Sequence, residues 1–224
     1  MPTEWAADTG RFLLLAFPAL FSIINPLGGA FVFLAATKKL SEEARTRLAR
    51  QVAIYSFIIL SVSMTIGVYV LKFFGISMPV LRLAGGIIIA LSAWTLLNAD
   101  DEGKDRGAAL ETTSDRDVTS QAFYPLTMPI TTGPGTISVA IALGTGGASD
   151  VNWLIFVLQT GLAATLMCLL IYLLYRSSNQ ISRAIGPNAT SIVARLSAFL
   201  LFCIGIQVMW TGIAELVASL PSSS

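Results

Sequence analysis

Two short stretches hold residue types that could bind a small ligand inside an apolar chain: Asn25-Pro26-Leu27-Gly28-Gly29 and Thr131-Thr132-Gly133-Pro134-Gly135-Thr136. Each sets proline beside glycine within an uncharged run, Phe12 to Thr37 and Val118 to Ser149. Proline lacks a backbone N–H and clashes one turn back, and adjacent glycines weaken a helix further. A half-helix starting at each proline turns its free N–H groups and partial positive charge inward, which suits a carboxylate. The carbonyls released before each proline, with Asn25, Thr131 and Thr132, suit an ammonium or a small cation. Gly28, Gly29, Gly133 and Gly135 allow main chain close to a ligand. The spacing therefore predicts a site for a small zwitterion, held by Asn25, Pro26, Gly28, Gly29, Thr131, Thr132, Gly133, Pro134, Gly135 and Thr136. The plainer reading is that each proline only kinks a packed helix, as prolines in membranes often do. Two breaks at equivalent depth favour the site.

Other chemistry is sparse. Arg82 and Arg195 stand just inside helix ends, where they either snorkel to headgroups or gate the path to the site. Glu215 is the one acidic residue within an expected span, near its end, so a buried proton carrier is missing from the middle of the bundle. Coupling to Na⁺ through carbonyls and hydroxyls is expected ahead of coupling to H⁺, or no coupling at all. The chain has no histidine, no Gly-x-Ser-x-Gly elbow, no intramembrane acid pair and no Gly-x-x-x-x-Gly-Lys-Ser/Thr loop. An enzyme, a metal site, an organic cofactor and ATP drive are therefore not expected. Cys168 and Cys203 lie in apolar runs and read as small buried hydrophobes, not a disulfide.

The elements that carry these residues are membrane spans. Of 224 residues, 54% are hydrophobic and 12% charged, against about 25% charged in soluble domains. With net charge +1 there is no nucleic-acid footprint; the lipid bilayer and a small substrate are the expected partners, and oligomeric state is not legible. Runs of about 20 apolar residues cross the hydrocarbon core. Six spans follow: Phe12–Ala36, Gln51–Leu71, Met78–Leu97, Ala122–Leu143, Val151–Tyr175 and Ile192–Leu216. The basic segment after Ser41 leads into the second, with Ser41 as its cap and Glu42 and Glu43 in its first turn. Gly144 to Asp150 reads as a tight turn and Arg176 to Ser191 as a polar loop. The acidic start before Phe12 fits a cleaved signal peptide poorly, so the first helix is expected to be retained. Trp94, Trp153 and Trp210 read as interfacial anchors.

The segments after spans one, three and five hold ten Lys and Arg, the opposite side two. That places both termini outside and residues 99–120, rich in acidic side chains, as a flexible cytoplasmic linker. Val80-Leu81-Arg82-Leu83-Ala84 and Val193-Ala194-Arg195-Leu196-Ser197 match at an offset of 113, and Pro26 and Pro134 at 108. Residues 1–98 and 121–224 thus read as two three-helix repeats. Three is odd, so the second crosses in the opposite sense, an inverted repeat with broken helices one and four. Gly85, Gly86 and Ala90 read as small residues for close helix packing.

Asn25-Pro26-Leu27-Gly28, Phe74-Gly75-Ile76-Ser77, Arg82-Leu83-Ala84-Gly85-Gly86, Pro125-Leu126-Thr127-Met128-Pro129 and Gly133-Pro134-Gly135-Thr136-Ile137 together resemble the MarC family of bacterial and archaeal inner-membrane proteins. The likeness runs from the first span to the sixth and leaves out the linker. It implies a six-helix protein of the inner membrane, akin to transporters of glycine and alanine. The expectation is a secondary transporter of small neutral amino acids, with substrate at the midplane between half-helix N-termini. The alternatives are a transporter or exporter of another small solute, or a membrane scaffold that transports nothing.

Overall fold

The computed structural model describes residues 2–37, 40–98, 122–147 and 152–220. Its elements are α1 (Pro2–Ile24), α2 (Pro26–Ala36), α3 (Glu42–Phe73), α4 (Met78–Leu97), α5 (Ala122–Thr131) and α6 (Pro134–Gly147). One further helical stretch, Trp153–Ala218, turns over at Gly186 and contains α7 (Trp153–Ala184) and α8 (Ser191–Ala218). There is no strand among the described residues. Five spans, Ala7–Ala36, α3, Met78–Thr95, α7 and α8, are long and apolar enough to cross a membrane, and Pro134–Thr145 is a shorter apolar helix. Large apolar side chains such as Leu14, Tyr69, Leu91 and Leu158 cover the outside, the expected face toward lipid.

Local chemistry sets the boundaries. The Ser41 hydroxyl accepts from Ala44 N at 3.2 Å, with Glu42 and Glu43 in the first turn. The basic segment therefore forms the first turns of α3, as its caps require. At the other end Gly75 takes φ 67°. Gly75 N bonds Lys72 O and Ile76 N bonds Leu71 O, the paired bonds of a Schellman ending.

Three stretches differ from the sequence expectation. The fourth span, expected as Ala122–Leu143 with one break, is two pieces, α5 and α6. Tyr124 and Met128 within α5 are extended. Both precede proline, which disfavours helical backbone at the residue before it. The rest of α5 is wound wide as a π-helix, so Thr127 and Thr131 hydroxyls reach back five residues to Ala122 O and Leu126 O, each at 2.7 Å. The polar loop expected from Arg176 to Ser191 is helical as far as Gly186 (φ 82°, ψ 164°). Its Arg, Ser, Gln and Ala residues tolerate helix, and the first strong breaker is Gly186-Pro187. Of the turn expected at Gly144–Asp150, residues 144–147 continue α6, and 148–150 lie outside the described residues. So does the linker over residues 99–120; Asn98 ends α4, its amide donating to Trp94 O at 2.8 Å.

Glycines let the helices approach one another. A Cβ on Gly86 of α4 would lie 2.4 Å from Met209 N and 2.7 Å from Gly205 O of α8. On Gly205 it would lie 2.6 Å from Ala90 N, and on Gly212 2.7 Å from Pro79 O. The numbers run in opposite directions, so α4 and α8 are antiparallel with backbones in contact. Gly144 of α6 rests in the same way on Met64 O of α3. Between these seams lies a core of Leu20, Phe33, Leu60, Met64, Leu126 and Met167. Cys168 is buried within it, whereas Cys203 is exposed, and both are free thiols. The expectation of two buried cysteines thus holds for one; Cys203 sits on the outward side of α8. Trp94, Trp153 and Trp210 are all more than half exposed.

Candidate functional site

At the first break the chain changes direction through one residue. Asn25 has φ 46° and ψ 60°, a left-handed conformation that asparagine tolerates better than most residues. Its Oδ1 accepts from Gly28 N at 3.2 Å, and its Nδ2 donates to Ser197 O of α8 at 3.1 Å. Pro26 then opens α2. Gly29 N donates to Asn25 O at 2.9 Å, so two of the first amides of this half-helix are taken up within the break. Ser197 packs on Gly28, where an added Cβ would fall 2.5 Å from the serine Cβ. Asn25→Gly should keep the left-handed turn and lose both side-chain bonds; Asn25→Ala loses the bonds and adds strain of about 1–2 kcal/mol. The expected melting order of purified protein is Asn25, then Gly, then Ala. Equal melting of the two variants would count against a strained turn.

The second break runs from Thr131 to Pro134, which opens α6. Thr132 N bonds Thr127 O at 2.7 Å, and Ile137 N bonds Gly133 O at 3.0 Å. Thr131 and Thr132 are both buried and point to different partners. Thr132 Oγ1 donates to Ser56 Oγ of α3 at 2.7 Å. Thr131 Oγ1 already donates to Leu126 O, so its contact of 2.9 Å with Tyr175 Oη is received from the tyrosine. Gly135 abuts α4: a Cβ there would meet Ile89 Cδ1 at 2.0 Å and Gly85 O at 3.3 Å. Thr136 is buried in the first turn of α6, and Ser138 Oγ donates to Gly135 O at 2.7 Å.

Tyr175 of α7 joins the two breaks. It is fully buried and stacks on Phe33 of α2, ring centroids 4.7 Å apart. Its hydroxyl binds Thr131 and also sits over Gly29, where an added Cβ would lie only 2.5 Å away. One oxygen thus touches both broken helices. Sequence reasoning missed Tyr175, Ser197, Ser56 and Ile89. Tyr175 precedes Arg176 and reads as the polar end of a span; a phenol inside a helix that continues for another nine residues would have been the signal. Ser197 lies in the repeated Arg-Leu-small pattern, but nothing local says which break it faces.

The two arginines have different surroundings. Arg82 of α4 is ion-paired to Glu215 near the end of α8, with both side chains partly exposed. Arg195 lies at the other end of α8 with its side chain exposed. The Arg82 pair clips the antiparallel seam at one end. Arg82→Glu should lower the melting temperature, and Glu215→Arg in the same chain should restore most of the loss. Exposed pairs of this kind couple by about 0.2–1 kcal/mol. If the double variant is no better than the single, the contact does not hold the seam.

The geometry defines a class: a polytopic helical membrane protein built around two proline-broken helices that meet at one buried hydroxyl. The chain belongs to the MarC family of integral membrane proteins, whose family model matches residues 10–217. It is 33% identical over 211 residues to a UPF0056 membrane protein of Archaeoglobus fulgidus, covering 93% of this chain and 95% of the relative. It is 32% identical over 216 residues to the UPF0056 inner membrane protein MarC of Escherichia coli O1:K1, covering 94% and 97%. The protein of that name in Salmonella typhimurium LT2 is 31% identical over the same shares. No solved structure matches the chain.

Proposed function

We propose that the protein is a secondary transporter of small neutral amino acids, of the glycine and alanine class, in the inner membrane. The observation that carries the reading is Tyr175, whose hydroxyl contacts Gly29 of one break and Thr131 of the other. A site shared by two half-helices needs such a meeting point. The exchange of partners adds support. The first break packs on Ser197, just past Arg195, and the second on Gly85, just past Arg82. Each break therefore leans on the arginine-bearing helix of the other half, a reciprocal packing that fits an inverted repeat.

In this reading α1 with α2, and α5 with α6, are the broken first and fourth of six crossings, and both termini lie outside. The substrate carboxylate faces the half-helix N-termini of Pro26 and Pro134, with Thr131, Thr132, Gly133, Gly135 and Thr136 around it. Ile89 and Tyr175 fill the breaks in this conformation, so entry requires them to move. The glycines restrict the cargo to small side chains. Buried hydroxyls of Ser56, Thr131 and Thr132 are the groups for a coupling Na⁺. No catalysis and no cofactor enter the cycle.

The test is melting of purified protein against an amino-acid panel, with uptake into liposomes. A ligand of the folded state raises melting by mass action. Tyr175→Phe is a better probe than a bulky residue at Gly135, which would collide with Ile89. Glycine or alanine should raise melting in the wild type, and uptake should be much lower in Tyr175→Phe. Well-folded protein that neither binds nor takes up any small amino acid would turn the reading to another solute or to a scaffold.

A further inference from the structure

A cleft of about 370 Å³ opens at the end of the bundle where α3 starts and α7 runs past its apolar stretch. That lies within the range of roughly 300–1,000 Å³ found for small-molecule sites. Glu42, Arg45, Arg176, Asn179 and Gln180 line it. These residues belong to the basic side of the protein, distinct from the breaks.

Arg45 is unusual. It is 7% exposed, the only buried charged side chain among the described residues. A buried charge is costly unless it is paired. Its Nε donates to Thr37 Oγ1 at 3.2 Å, and its Nη2 donates to Thr37 O at 3.0 Å and Leu40 O at 3.4 Å. Those carbonyls follow the end of α2, so Arg45 caps a helix C-terminus and meets its partial negative charge. That offsets about half a charge; among the described residues no carboxylate completes the balance. Glu42 is close by, yet its Oε1 accepts from Asn179 Nδ2 at 3.0 Å. Arg176, on the same wall, bonds the neutral Tyr172 hydroxyl at 3.3 Å and lies over that ring. Among the described residues, two guanidinium groups without a carboxylate and one carboxylate without a cation thus share one cleft.

We propose that this cleft binds a zwitterionic group, an oxyanion on Arg45 and Arg176 and a primary ammonium on Glu42. Glycine itself carries that chemistry, and so does the headgroup of an ethanolamine phospholipid. The proposal does not depend on transport through the breaks.

The test uses full-length protein in phosphatidylcholine nanodiscs, titrated calorimetrically with glycine, glycerophosphoethanolamine and glycerophosphocholine. The first or second should bind. Glycerophosphocholine should bind more weakly, because its quaternary nitrogen donates no hydrogen bond to Glu42. Affinity should fall about tenfold or more in Arg176→Gln and in Glu42→Gln, each of which loses a charge-assisted bond. Arg176 is exposed and glutamine at 42 keeps an acceptor for Asn179, so both variants should fold. Binding of glycine alone assigns a free amino acid; preference for glycerophosphoethanolamine assigns a lipid headgroup. Tyr175→Phe should leave this binding intact, which separates the cleft from the breaks. The proposal is overturned if neither zwitterion binds, if both variants bind like wild type, or if Tyr175→Phe alone removes the binding.

Discussion

Gly29→Ala is expected to destabilise the wild-type protein and to be tolerated once Tyr175 is phenylalanine. In α2, replacing glycine by alanine should by itself stabilise, by about 1 kcal/mol. Here the added methyl would lie 2.5 Å from Tyr175 Oη. The tyrosine is fully buried against Phe33, so moving it costs packing and the hydrogen bond to Thr131. Overpacking of this kind costs about 1–3 kcal/mol, and a lost buried hydrogen bond adds about 1; the clash outweighs the helix preference. Phenylalanine at 175 removes the oxygen and leaves the ring carbons Cζ and Cε1 at 3.4 and 3.5 Å, ordinary contact distances. Tyr175→Phe alone should cost about 1 kcal/mol, since Thr131 still donates to Leu126 O. A double-mutant cycle on melting in one detergent should therefore give a favourable coupling of about 2–4 kcal/mol. Additive effects would mean that the hydroxyl does not sit over Gly29. The same four proteins in the uptake assay then tell whether that contact also sets the rate of the proposed transport.

Gly86→Ala should be strongly damaging. Its Cβ would meet Met209 N at 2.4 Å and Met209 Cα at 2.8 Å. Those atoms are backbone and cannot rotate away, so α4 and α8 must separate along their whole seam. Small residues at such crossings are what allow helices to associate in lipid, where no hydrophobic force drives them together. The expected loss is about 3 kcal/mol, read as a lower melting temperature and a shift of the unfolding curve in mixed micelles. Gly161→Ala in α7 is the control: no atom lies within 4 Å of the added Cβ, so helix preference alone should make it neutral or slightly stabilising. Equal behaviour of the two variants would contradict the α4–α8 contact. Loss in Gly86→Ala with intact binding to the polar cleft would show that the damage is confined to the seam.

Much of the architecture was legible because membrane spans announce themselves locally. An uncharged run of 26 residues, Phe12 to Thr37, can hardly be anything else, and proline fixes where a helix restarts. Pro26 and Pro134 do open α2 and α6. Met78-Pro79 opens α4, and Gly85, Gly86 and Ala90 face neighbouring helices at close range. The winding of α5 was also in the text, since Tyr124-Pro125 and Met128-Pro129 each forbid helical backbone before the proline; hydropathy drew attention away from it.

The sequence by itself determined a helical membrane protein with two helices broken at proline and glycine. Those features depend on hydropathy, missing N–H groups and absent side chains, all properties of neighbours along the chain. Only the tertiary structure decided what stands at the breaks. Asn25 turns left-handed and spends its amide on Gly28 and Ser197, which lies 172 residues away. Tyr175 reaches from the seventh helix to Gly29 and Thr131, and the buried charge of Arg45 lines one cleft with Arg176 and Glu42. Such contacts depend on how helices pack, and packing is settled by shape and burial summed over the whole bundle. No local pattern carries that sum.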